Sequence, residues 1–200
     1  MKGKIQGAVG LLIIGFIVFG LVRSIYSRNF ADEEVTVLTS SKNQAPIKNA
    51  LLWYEMELEK TLPSVSAHLN AEEMFFVQPL YNSLKPTGMV SDYIKTMSEK
   101  ATARMIELGA YSGKEPDVWQ MAKDKGYPYV FKVVISNASA KSRSNDLESL
   151  TYLYSLYNVA DSSVVWEAKS TRLAGFFGGM NAEKSVSALT KQLKASKITQ

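Results

Sequence analysis

The chain has 200 residues and no cysteine, with 23 Lys and Arg against 19 Asp and Glu, a formal net charge of +4. Lack of cysteine excludes disulfides, thiol catalysis and cysteine-held metals. Four of the basic residues, Lys2, Lys4, Arg23 and Arg28, flank residues 5–22, leaving 19 basic against 19 acidic over residues 29–200, so no basic surplus there announces a nucleic-acid partner.

Ile5 to Val22 carries no charge and one polar side chain, Gln6. As a helix it would reach about 27 Å, close to the hydrocarbon thickness of a bilayer. The run is longer than the apolar core of a cleaved signal, and the best cleavage candidate, Asn29-Phe30-Ala31, lacks the small residues a cut requires. With no cysteine there is no lipid anchor. The expectation is an uncleaved signal anchor over residues 1–28, crossing the membrane once, and one domain over residues 29–200. Flanking charge is nearly balanced. The short N-terminal tail places the domain outside the cytoplasm.

Val35 to Thr39 is β-branched and predicts a first strand. After Pro46, the residues Ile47, Leu51, Tyr54, Leu58 and Leu62 recur at helical spacing, and Glu55, Glu57 and Glu59 form the solvated side of that predicted helix. Phe75 to Leu80 predicts a second strand ending at Pro79. A loop follows from Asn82 to Gly88. Ser91 would then cap a helix with Ile94, Met97, Ala101, Met105 and Leu108 inward. Pro116 opens another, with Val118, Met121 and Ala122 inward, stopped by Gly126.

Tyr127 to Ser136 alternates and predicts a strand. Asn137 to Glu148 is a polar loop. Ser149 to Val159 is apolar on both faces and predicts a central strand. Tyr152, Tyr154 and Tyr157 could stack sugars or bases, but on such a strand core packing is the better reading. Val164 to Leu173 predicts a third strand, with Val164, Trp166 and Ala168 inward and Glu167, Lys169 and Thr171 wet. Gly175 to Gly179 is a loop. Asn181 caps a closing helix with Ala182, Val186, Leu189 and Leu193 on one face. The fold class is α/β (α+β): a single mixed sheet of about five strands, helices mainly on one face, behind one N-terminal transmembrane helix.

Gly126-Tyr-Pro-Tyr-Val130, Tyr154-Ser-Leu-Tyr-Asn-Val-Ala-Asp161 and Val164-Val-Trp-Glu167 carry a resemblance over roughly the last third of the chain. This series resembles the α/β domain of bacterial envelope proteins related to the amino-terminal domain of the Tol translocation protein. It is similar also to the penicillin-binding-protein activator lipoproteins and the curli secretion-channel lipoprotein. The resemblance implies a binding or assembly domain in the bacterial envelope, and no enzyme; with the anchor expected over residues 1–28, the expectation is a periplasmic domain tethered to the inner membrane. It implies that the aspartate turn and the tryptophan are structural positions.

Nothing in the chain spells a catalytic or cofactor motif, and the expectation is no enzyme, no cofactor and no metal. His68 is the lone histidine and reads as structural. Glu72 and Glu73 read as a solvated pair. Phe176 and Phe177, set among three glycines, either tuck under the closing helix or, exposed at the loop tip, are the partner-binding candidates, since aromatics on loops concentrate interface energy. Two functions follow: an anchored accessory protein that binds another envelope protein, or an anchored domain that binds a small ligand or glycan beside the wet sheet face.

Overall fold

The computed structural model describes residues 18, 33–41, 45–56, 76–107, 112–140, 147–173 and 182–200. Apart from Val18, the predicted transmembrane stretch lies outside these residues, as do His68, the Glu72–Glu73 pair and the Phe176–Phe177 loop. Among the described residues, no helix is long and apolar enough to cross a membrane.

Six strands form one mixed sheet: β1 (Val35–Ser40), β2 (Ala50–Met56), β3 (Val90–Met97), β4 (Tyr129–Ala140), β5 (Leu147–Asn158) and β6 (Val164–Leu173). Their spatial order is β1-β6-β5-β4-β2-β3. β2 runs parallel to both β3 and β4, whereas β4, β5, β6 and β1 pair antiparallel. Among the described residues there are four α-helices: α1 (Gln78–Leu84), α2 (Glu99–Glu107), α3 (Val118–Asp124) and α4 (Ala182–Ala195).

The strands and the helix of the last third match their reading, but β4 runs to Ala140 and β5 starts at Leu147, inside the stretch predicted as a loop over residues 137–148, because those residues pair across the hairpin. β5 is central and buried on one face through Leu150, Tyr152, Tyr154 and Leu156. Trp166 is fully buried, its ring 6.4 Å from that of Phe131. Val164 does not turn inward as expected. The register slips between Leu156 and Tyr157, so Val165 joins the core and Val164 stays exposed. α4 seats Val186, Leu189 and Leu193.

The first half departs from its reading in four places, one of them the loop predicted from Asn82 to Gly88, where the helix α1 runs to Leu84 and a 3-10 turn follows over Lys85–Thr87. Within the segment predicted as a helix from Pro46, Leu58 and Leu62 lie outside the described residues, and Ala50–Met56 is β2. Its run Ala50-Leu-Leu-Trp-Tyr54 satisfies a helical stripe and also a strand buried on both faces, and the second pattern wins. Ala50, Leu52, Tyr54 and Met56 enter one core while Leu51 and Trp53 enter another. The predicted second strand is instead the start of α1, where Pro79 stands in the first turn, a place that needs no N–H, and Val77, Leu80 and Leu84 keep helical spacing. The helix predicted from Ser91 divides into β3 and α2.

The sheet therefore has six strands rather than five, and helices cover both faces rather than mainly one. α1 and α4 lie over the larger core, and α3 lies over Leu51, Trp53 and Val130. The reason is topological. The chain leaves β2, crosses to β3 at one side, then returns past β2 to β4. Parallel crossovers are right-handed, so steps in opposite directions put their helices on opposite faces.

Candidate functional site

The carboxyl ends of β2 and β3 are where those two crossovers part. In open α/β sheets such a point leaves a crevice that no helix fills. Here it is a recess of about 650 Å³, within the usual range for a binding pocket. Trp53 and Glu55 from β2 form part of its lining, with Thr96 and Met97 from β3. Thr102, Ala103 and Ile106 come from α2, and Lys114, Glu115, Pro116 and Asp117 from the segment ahead of α3.

Each group has a local reason for its place. Trp53 points away from the larger core because strand side chains alternate. Its indole Nε1 donates to Thr96 Oγ1 at 2.8 Å, which sets the ring's rotation. The Trp119 ring meets it edge-on at 6.2 Å and in turn meets Tyr157 at 5.4 Å. Lys132 Nζ sits 3.9 Å from the Trp53 ring centroid and 2.7 Å from Glu55 Oε2. Trp53 and Glu55 of this wall thus hold between a π-face and a carboxylate the ammonium of Lys132, which does not itself line the recess. Asp117 Oδ1 accepts the backbone N–H of Gln120 and caps α3. Ile106 is 51% exposed. Thr102 Oγ1 is shielded from solvent and has no hydrogen-bond partner among the described residues.

The recess thus offers apolar lining from Trp53, Met97, Ala103, Ile106 and Pro116 together with the carboxylates of Glu55, Glu99, Glu115 and Asp117. It can bind and orient. Among the described residues, no group of three or more His, Cys, Asp or Glu is placed to hold a metal ion.

Glu55, read as one of three solvated helix carboxylates, is instead a paired strand residue of this recess. Tyr152 and Tyr154 are core residues, as expected, and Tyr157 is half-buried against Trp119. The wet face of β6 is present: Ser155 Oγ donates to Glu167 Oε1 at 3.2 Å, and Thr151 and Thr171 hydroxyls meet at 3.1 Å. It shares its side of the sheet with Trp53 and Lys132. The sequence reading missed the recess because β2 was taken for a helix. Read as a strand, Trp53 and Glu55 fall on one face, which is the one local signal available.

A second hollow of about 520 Å³ lies between α1 and α4, lined by Pro79, Ser83, Val186, Thr190, Lys191 and Lys194 among others. Ser83 and Thr190 hydroxyls meet across it at 3.3 Å.

No family model matches this chain, and no curated protein matches it. Solved structures similar to it include the PelC dodecamer from Paraburkholderia phytofirmans, at 18% identity and TM-score 0.48, covering 83% of this chain and 99% of that one. Lipoprotein GNA1162 from Neisseria meningitidis is similar at 12% identity and TM-score 0.40, covering 73% and 99%. The LpoB C-terminal domain from Escherichia coli is similar at 13% identity and TM-score 0.31, covering 76% and 92%. A lipoprotein and an LpoB domain are thus among the solved structures similar to this chain, as the resemblance read from residues 126–167 expects.

Proposed function

We propose that this chain is a membrane-anchored, non-enzymatic accessory protein of the bacterial envelope. Its domain lies in the periplasm and binds another envelope protein through the recess at the ends of β2 and β3. An accessory role is compatible with the lipoproteins among its structural neighbours, but the observation that carries the reading is the recess itself. It joins an indole-walled apolar floor, the exposed Ile106 and a polar rim on a rigid sheet, the anatomy of a protein-docking site. The apolar stretch Ile5–Val22 supports the anchored part of the proposal.

The test is mild-detergent extraction of the full chain from its host, followed by identification of what co-purifies. An envelope protein held by the wild type should be lost with Ile106→Arg while the unfolding midpoint holds. If both forms retain the same protein in the same amount, docking through the recess is wrong. The recess volume also favours a second reading, a small envelope ligand such as a cell-wall fragment. A thermal shift with muropeptides that Ile106→Arg abolishes, without any co-purifying protein, would select it.

A further inference from the structure

We propose that the recess recognises a cationic segment of its protein partner, in which a lysine or arginine lies beside an apolar residue. This rests on the docking reading above and names the chemistry of the occupant.

Charge complementarity carries it. Four carboxylates line the recess, those of Glu55, Glu99, Glu115 and Asp117, against one lining cation, Lys114. Glu55 is taken by Lys132 and Asp117 by the α3 cap. Glu99 and Glu115 have no ion-pair partner among the described residues. An anionic or phosphorylated segment would meet repulsion here. A lysine or arginine can lay its methylene stem along Met97 and Ile106 and present its charge to Glu99 and Glu115.

Two further features match. Lys132 already shows this wall holding an ammonium between the Trp53 ring and a carboxylate. The Thr102 hydroxyl, buried without a partner, leaves a hydrogen-bonding group for the incoming chain, and a donor or acceptor left unmade in a buried place is costly. An uncharged apolar occupant would leave Glu99 and Glu115 without a counter-charge and Thr102 without a partner among the described residues.

The experiment uses the full chain in a neutral detergent at low salt, with fluorescence anisotropy of a labelled peptide alternating leucine and arginine. The matching leucine–glutamate peptide and spermine are the competitors. The basic peptide should bind, and the acidic one should not. The double variant Glu99→Gln/Glu115→Gln should weaken binding by about tenfold, because the lost contacts are charge-assisted. Ile106→Ser should weaken it as well, and the remote Glu183→Gln should leave it unchanged. Equal binding by the wild type and the double variant, or equal loss with Glu183→Gln, would overturn the proposal, since attraction would then be general to the surface. Full displacement by spermine with no dependence on Ile106 would overturn it in favour of a free polyamine. If the peptide fails to bind but Ile106→Arg still strips the envelope partner in co-purification, the cationic claim falls and the docking reading stands. If the peptide binds as expected but co-purification is indifferent to Ile106→Arg, the docking reading falls and takes the proposal with it.

Discussion

Trp166 and Asp161 stand five residues apart and act in opposite ways. Trp166 contributes by leaving water. Its ring is fully buried between β-sheet and helices, so Trp166→Ala should lower stability by about 3–5 kcal/mol, read from denaturant unfolding. An unchanged midpoint would contradict the packing. Its indole N–H finds no partner in that core, so Trp166→Phe should cost much less than the alanine change. Asp161 is fully exposed and works through hydrogen bonds. The Ser163 backbone N–H at 2.9 Å and its hydroxyl at 2.7 Å both donate to Asp161 Oδ1, and they hold the carboxyl below its ordinary 3.8. A depressed carboxyl stabilises the fold above its unfolded pKa, and that contribution disappears as pH falls through the folded value. A carboxyl NMR titration should place the Asp161 midpoint below 3.8 and Asp161→Asn should loosen the β5–β6 turn. A midpoint at or above that value would remove the turn's explanation. Both residues were legible in the sequence as structural positions, because a Ser-Ser turn after aspartate and a tryptophan on an alternating strand are local patterns.

At the scale of elements, legibility follows how far each pattern depends on distant neighbours. α3 was readable because its signals are its own: Asp117 caps it, Val118 and Ala122 face inward, and Gly126 ends it at φ +71°. Nothing lies within 4 Å of where a Gly126 Cβ would stand, so the penalty of substitution is backbone strain alone. Gly126→Ala should therefore cost about 1–2 kcal/mol and Gly126→Asn less, measured by thermal unfolding. An equal effect of both would show that the left-handed turn is not what stops the helix. β2, α1 and β3 were misread for the opposite reason. A short apolar run fits a helix or a buried strand equally, and what decides is whether two faces of other elements exist to receive it. For Ala50–Met56 they do, one under α1 and the other under α3.

The molecule as a whole has two ends that differ. β1 begins opposite Ser170 near the end of β6, and β6 runs in the direction of β2 and β4. The chain coming from the N-terminal stretch therefore joins the sheet at the same end as the recess, but at the opposite edge. The junction is tied down. Glu33 accepts hydrogen bonds from Ser170 on β6, at 2.5 Å, and from Ser185 on α4. Arg172 Nη1, also buried, reaches the same Ser185 hydroxyl at 3.5 Å. The recess thus opens at the sheet end where β1 begins, and Glu33 ties the start of β1 to β6 and α4. If Ile5–Val22 spans a bilayer, the full chain should remain in the membrane pellet after alkaline carbonate extraction and keep its N-terminus. Recovery of a soluble form beginning near Asp32 would refute that.

The amino-acid order alone settled the meander of β4, β5 and β6, the closing helix, the buried tryptophan and the balance of charge beyond residue 28. Each follows from alternation, caps or turns within a dozen residues. The position of β2 between two parallel neighbours, the helices on both faces and the recess at the parting of the crossovers emerged only in three dimensions. Their residues lie as far apart as Trp53 and Asp117. Hydrophobic spacing says which side of an element is buried, but it carries no record of which element will cover it.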